Sequence, residues 1–385
     1  MRINYLKTIL ILIMAALVGI GFLMIYSSST AYARENRGDA YFFLKRQILW
    51  AAAGLAAFLF IQRVDYHSLR KRSRLLAAVG ILLLLAVLIP GLGRSAWGAR
   101  RWFAVAGFSF QPSELVKYLL VLYLADLLSR RQDRIVAFFS GFIPPLAVTV
   151  LMAGLILLQP DLGSALSVLI IGIMMLFLAG ARISHILVLL PLSLPALAAL
   201  IVKVGYRKQR ILAFINPWAD PRGAGFQIIQ SLIALGSGGP TGLGLGASRQ
   251  KLFYLPAAST DFIFSILGEE LGFIGTGLVV GLVTGFLIAG FIVCRRAPDL
   301  FGSLLAFGIT AMLVLQALVN MGVSCGLLPT KGLPLPFVSY GGSNLLISFA
   351  AVGVLVNIAS HRPEACPARR RIKNSRLFNN QWRNR

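Results

Sequence analysis

Thirteen acidic residues are spread along 385 positions, few enough to be weighed one by one. Six lie at or inside long apolar stretches: Glu114, Asp126, Asp161, Asp261, Glu269 and Glu270. An ionisable side chain at membrane depth is expensive unless paired or hydrated, so each is a functional hypothesis by default. Asp261 is the most suggestive. It follows Ser259-Thr260 and precedes Phe262-Ile263-Phe264, at the expected outer end of a helix. Partial burial at a membrane–water boundary raises a carboxylate's pKa, which suits a general base. The competing reading is an N-cap, a position that Asp suits equally well.

The other five have specific partners in the sequence. Glu114 and Lys117 are spaced i,i+3 and share a helix face, so they can offset each other's desolvation, as a structural ion pair or as part of a site. Asp126 and Arg130 are spaced i,i+4 near a helix end and read as a surface pair. Asp161, after Gln159-Pro160, reads as an N-cap or a site residue. Glu269 and Glu270 are adjacent, so they point to different sides of a helix; one can pair while the other lines a cavity. Glu35, Asp39, Asp65, Asp133, Asp299 and Glu364 read as solvated, and Asp220, beside Pro221, as turn chemistry.

The elements that must position these groups are apolar helices. Hydrophobic residues make up 57% of the chain and charged residues 13%, a balance that excludes a soluble enzyme and a disordered chain. Stretches near the 20 residues a spanning helix needs occur at 8–27, 47–62, 75–92, 114–128, 138–158, 162–180, 184–204, 265–294, 301–325 and 343–360. Their continuous apolar character excludes barrel strands. The stretch 114–128 is the weakest by hydropathy. The first resembles a signal peptide, with Ala31-Tyr32-Ala33 as a cleavage-site mimic, but its apolar length favours a retained helix. The expected fold is therefore all-α: a polytopic membrane protein of about ten transmembrane helices. Residues 1–360 form one bundle, with a large outer loop at about 205–264. Residues 361–385 form a basic, disordered cytoplasmic tail.

The formal net charge of +24 reads as topology signal and lipid-headgroup contact rather than nucleic-acid binding, because the cations sit between apolar runs. Arg63, Arg70, Lys71, Arg72, Arg74, Arg130, Arg131, Arg134, Arg295, Arg296 and the Arg-rich tail share one side of the predicted topology. The positive-inside rule puts both termini in the cytoplasm. The three cysteines, Cys294, Cys325 and Cys366, are far apart and suggest neither a metal knuckle nor a disulfide framework. In the outer loop, apolar residues within 227–235 have the spacing of an amphipathic helix lying in the interface. The stretch 236–246 is too glycine-rich for regular structure and reads either as a flexible linker or as a backbone cradle for phosphate.

Several motifs taken in order resemble the SEDS family (shape, elongation, division and sporulation). They are Gly98-Ala-Arg-Arg-Trp-Phe103, Phe110-Gln-Pro-Ser-Glu-Leu-Val-Lys117, Gln159-Pro-Asp-Leu-Gly163, Tyr254-Leu-Pro-Ala-Ala-Ser-Thr-Asp-Phe-Ile-Phe264, Gly268-Glu-Glu-Leu-Gly272 and Gly332-Leu-Pro-Leu-Pro-Phe-Val-Ser-Tyr-Gly-Gly342. The wording around Asp261 leans toward the FtsW branch over the RodA branch. The resemblance implies a peptidoglycan glycosyltransferase that polymerises lipid II at the outer face of the cytoplasmic membrane. It further implies a class B penicillin-binding protein, a transpeptidase, as partner, together with other divisome proteins at the septum. Asp261 matches the family's essential acidic residue. Arg101, Trp102, Gln111, Glu114, Lys117 and Asp161 fall on motif positions that line or support the cavity. The family's usual Glu and His are replaced here by Ala257 and Ser259, which leaves Asp261 more nearly alone.

In such a reaction a sugar hydroxyl attacks the anomeric carbon of a lipid-linked sugar diphosphate. The hydroxyl needs a base, and the leaving diphosphate needs positive charge or a divalent cation such as Mg or Mn. Asp261 is the expected base. Arg100, Arg101, Arg210, Lys251 and Lys331 are candidate cations, with Lys251, ten residues before Asp261, the best placed in sequence. No metal-ligand cluster is visible. The competing classes are a flippase for the same precursor, which intramembrane Glu114, Lys117 and Asp161 would suit, and a non-catalytic divisome scaffold.

Overall fold

The computed structural model describes residues 3–361 apart from 97–98, 106–107 and 203–204. The expected tail at 361–385 therefore lies, apart from His361, outside the described residues. Each of the ten apolar stretches is a helix: α1 (Ile3–Arg37), α2 (Phe42–Ile61), α3 (Tyr66–Ala86), α4 (Pro112–Arg130), α5 (Ile143–Leu158), α6 (Leu162–Leu178), α7 (Ile183–Val202), α10 (Ile263–Arg296), α11 (Leu300–Ser324) and α12 (Gly342–Ile358). Among the described residues, five helices are long and apolar enough to cross a bilayer by those criteria alone. The chain is a multi-pass membrane protein.

The weakest stretch by hydropathy, α4, is the centre of the bundle. It packs against α3, α5, α6, α11 and α12, and Val116, Leu120, Val121, Leu124 and Ala125 are fully buried. Its charges lower its hydropathy, and the buried ones are offset by partners in the protein rather than exposed to lipid. Asp126, expected in a surface pair, is instead buried. Arg70 Nε (3.1 Å), Arg130 Nε (2.6 Å) and Ser73 Oγ (2.8 Å) all donate to it, so the ion pair ties α3 to α4. Asp299, expected to be solvated, is a half-buried cap. It accepts from Gly302 N at 3.1 Å and from the Tyr66 hydroxyl at 2.6 Å, joining α3 to the start of α11.

Two short helices lie in the outer segment, α8 (Gly205–Ile215) and α9 (Phe226–Gly238). The helix expected to lie in the interface is α9, and it docks on the bundle instead. Ile228, Ile229, Ser231 and Ala234 are buried, and Ser231 Oγ bonds Ser265 Oγ (2.6 Å) and Ser324 O (2.7 Å). Between α3 and α4 the sequence reading missed a three-stranded antiparallel sheet, ordered β1 (Arg94–Ala96), β2 (Ala99–Val105), β3 (Phe108–Phe110). Strands this short carry no usable alternation signal.

The Gly-rich stretch is not a flexible linker. Helix α10 breaks at Gly272, with φ 65° and ψ −159°, and the stretch repairs the break. Leu243 N and Gly244 N donate to Glu269 O and Glu270 O, at 2.9 and 3.0 Å. Phe273 N and Ile274 N donate to Gly239 O and Pro240 O, at 2.9 and 3.1 Å. A side chain at Gly238, Gly242 or Gly272 would strike the opposing backbone.

Candidate active site

The segment before α10 is stitched down one carbonyl at a time. Ala257, in the left-handed region at φ 57°, opens a tight turn whose carbonyl accepts from the amides of Thr260, Asp261 and Phe262. Ser259 O then accepts from Tyr340 N (2.9 Å), Thr260 O from Ser339 Oγ (2.6 Å) and Asp261 O from Asn320 Nδ2 (2.8 Å). This fixed backbone presents the Asp261 side chain. Asp261 does not cap a helix as its alternative reading supposed: α10 starts with no side-chain cap. Among the described residues its carboxylate makes no hydrogen bond or ion pair.

Two charged groups, Arg210 and Asp161, act on it, and Lys331 lies beside Asp161. Arg210, exposed on α8, donates to Thr330 O (3.2 Å) and lies over the Tyr206 ring. Asp161 caps α6, accepting from Ser164 N (3.0 Å) and Ser164 Oγ (2.8 Å), with Gln111 Nε2 at 3.4 Å. Lys331 passes Asp161 on the loop between α11 and α12: its Cδ would lie 3.6 Å from a Cβ at Gly163, where Asp161 Oδ1 would lie at 3.7 Å. The next residue, Gly332, presses on the Asp261 carboxylate, since a Cβ there would lie 3.2 Å from Oδ2. Burial raises the pKa of Asp261 to about 6, Arg210 opposes the rise and Asp161 adds to it. Burial also pushes the Lys331 ammonium below its ordinary range, against the pull of Asp161. A carboxylate so poised exchanges protons near neutrality, with the Arg210 cation acting on it and the Lys331 cation on the neighbouring Asp161.

Other sequence-predicted residues support this site rather than line it. Arg101, on β2, donates to Gln159 O (2.9 Å) and Pro160 O (2.5 Å), clasping the turn that carries Asp161. Trp102 follows on the same strand, half-buried and opposite Arg94. Glu114 and Lys117 form a fully buried pair at 2.8 Å. Asn344 Nδ2 donates to Glu114 Oε2 (2.6 Å) and Lys117 Nζ to Gln316 Oε1 (3.2 Å), and Gln316 Nε2 holds Pro334 O (3.0 Å).

Lys251 is elsewhere. Its Nζ donates to Glu270 Oε1 (2.7 Å), Ser27 Oγ (2.8 Å) and Gly246 O (2.7 Å), which uses all three donors on protein. Neither adjacent glutamate lines the site. Glu269 accepts from Ser248 Oγ and from Arg249 N at 2.9 Å, so both carboxylates fasten the outer loop. Asn320, Asn344 and Gln316 were missed in the sequence, where they are isolated amides in apolar helices. Among the described residues, no three His, Cys, Asp or Glu side chains are grouped so that they could hold a metal ion.

A family model described as a cell cycle protein, covering FtsW, RodA and SpoVE, matches residues 7–364. A probable peptidoglycan glycosyltransferase FtsW of Geobacter metallireducens is 46% identical, over 91% of this chain and 94% of its own. Stage V sporulation protein E of Bacillus subtilis is also 46% identical, over 92% and 96%. A solved peptidoglycan synthase complex, described as coordinating polymerization and crosslinking, contains a chain that superposes with a TM-score of 0.75 at 34% identity, over 91% of this chain and 96% of its own. The rod shape determining protein RodA of Thermus thermophilus superposes at 0.69 with 30% identity, over 92% and 96%. Matching motifs, fold and near-complete coverage agree: the chain belongs to the FtsW/RodA/SpoVE family.

Proposed function

We infer that this chain is a peptidoglycan glycosyltransferase that polymerises lipid II at the outer face of the cytoplasmic membrane, with Asp261 as general base. The observation that carries the role of Asp261 is its unpaired carboxylate, held on a fixed backbone within the influence of Arg210. In this reading the carboxylate takes the proton of the acceptor hydroxyl as the sugar–oxygen bond forms. Arg210 and Lys331 face the diphosphate as it leaves with the bonding pair. Asp161 and Gln111 shape the floor, and Arg101 holds the turn beneath them. The inferred role is at the septum, with other divisome proteins nearby and a class B penicillin-binding protein as crosslinking partner; the similar chain in a complex that coordinates polymerization and crosslinking supports that partner. A flippase would need its intramembrane charges free to meet cargo, whereas Glu114 and Lys117 are buried and paired with each other, Asn344 and Gln316.

The test is lipid II polymerisation by the purified protein, with and without its cognate transpeptidase, beside Asp261→Asn. Glycan ladders that vanish in the variant support the enzyme and the base. Ladders from a folded Asp261→Asn protein remove the base assignment. No ladders under any condition would turn attention to lipid translocation in vesicles.

A further inference from the structure

The apolar helix α11 carries Gln316, Asn320 and Ser324 on one stripe, all buried. Asn320 has the most demanding position. Its Nδ2 donates to Asp261 O and to Leu333 O, each at 2.8 Å. These two bonds fix the amide's orientation, because the reversed amide would set Oδ1 against two carbonyl oxygens. Oδ1 is itself buried and has no partner among the described residues. An unpaired buried acceptor is a cost, so the side chain is held here for its two donors. One turn earlier, Gln316 Nε2 takes the next carbonyl along, Pro334 O.

Leu333 and Pro334 directly follow Lys331 and Gly332. One carboxamide thus joins the main chain under Asp261 to the loop that brings the Lys331 ammonium and presses Gly332 on the carboxylate. We propose that Asn320 is a positioning residue for polymerisation: its two donors fix the main chain of Asp261 against the loop that carries Lys331 and Gly332, and Gln316 holds the same loop one turn away. The proposal rests on the reading of Asp261 as the base. Base and cation must address one sugar diphosphate at once, and a misplacement of about 1 Å costs on the order of 100-fold in rate.

The experiment uses the full chain in detergent with lipid II and compares Asn320→Leu and Asn320→Asp with the parent. Leu keeps the volume and removes the polarity. Asp keeps the shape and replaces both donors with acceptors facing two carbonyls. We expect kcat to fall at least tenfold in both, with KM within about twofold. In Asn320→Leu the acid limb of the pH profile should also move by half a unit or more toward ordinary carboxylate values, as the Asp261 side chain shifts relative to Arg210 of α8 and Asp161 before α6, whereas the new carboxylate of Asn320→Asp should push the limb upward. A kcat loss that merely tracks the unfolded fraction, with an unmoved limb, would reduce Asn320 to a structural role and overturn the proposal. Parental kcat would do the same.

If the Asn320 variants do not fold, Gly332→Ala perturbs the same loop from the other side. Parental kcat and limb in that variant would overturn the proposal. Asp261→Asn separates the two levels. Activity in that variant sinks the base assignment, whereas a dead Asp261→Asn beside parental Asn320 variants sinks the positioning role alone.

Discussion

Exchanging the two charged neighbours of Asp261 should move the acid limb of polymerisation in opposite directions. With a pKa near 6, the carboxylate is about 90% ionised at pH 7 and about 10% at pH 5. The parent's kcat/KM should therefore fall about ninefold across that interval. An ordinary carboxylate, at 3.8, would lose less than about a tenth over the same range. Arg210 opposes the rise, so Arg210→Gln moves the limb above 6. Asp161 adds to it, so Asp161→Asn moves the limb below 6, while the Asn side chain can still cap α6 through Ser164 N. Neither group is in ion-pair contact with Asp261, and Arg210 is exposed, so each shift should be about half to one pH unit. The assay is kcat/KM for lipid II at fixed ionic strength from pH 4.5 to 8, since this ratio reports the free enzyme. A parental limb near 4, or shifts of the same sign in both variants, would refute the electrostatic account and leave Asp261 without its tuned proton affinity.

Other expectations follow from the same contacts. Glu114→Gln leaves the Lys117 ammonium buried without its anion and should destabilise the bundle by about 3–5 kcal/mol in detergent unfolding. The double swap Glu114→Lys with Lys117→Glu should restore little of that, because Pro334 O fixes the Gln316 amide with its oxygen toward position 117. Full recovery of the melting temperature would contradict this orientation. Lys251→Met should loosen the outer loop, seen as faster proteolysis within 240–256, whereas Lys331→Met should leave proteolysis unchanged and lower kcat. Ala257→Gly relieves a left-handed alanine and should raise stability by about 1 kcal/mol without lowering activity; a lower melting temperature would refute the strain.

The spans were legible because lipid-facing helices are apolar over their full length, and the motifs of the family resemblance pointed to Asp261, Asp161 and Gln111, of which Gln111 bonds Asp161 and Asp161 acts on Asp261. The errors have a common physical origin. Lys251 was judged by its distance along the chain, but the break at Gly272 turns the outer loop back on itself, and the ammonium ends against Glu270. Asp126 was judged by its place near a helix end, and only packing reveals that α3 covers it. Asn320 and Gln316 were readable in principle, since amides spaced i,i+4 in an otherwise apolar helix mark a buried polar seam. What they hold, the carbonyls of Asp261, Leu333 and Pro334, is fixed only by tertiary structure.

The repair at Gly272 also dictates how relatives can be recombined. The break in α10 is completed by backbone from residues 239–244, and three glycines on its two sides leave no room for a side chain. Because the bonds are main chain to main chain, either half of that splice can come from any parent that keeps glycine at positions 238, 242 and 272. A chimaera whose crossovers fall outside 236–276 transplants the outer loop, Asp261 and the first turns of α10 as one cassette. A crossover inside that interval that brings a side chain to any of those three positions should give a chain that fails to fold, because the seam has no slack.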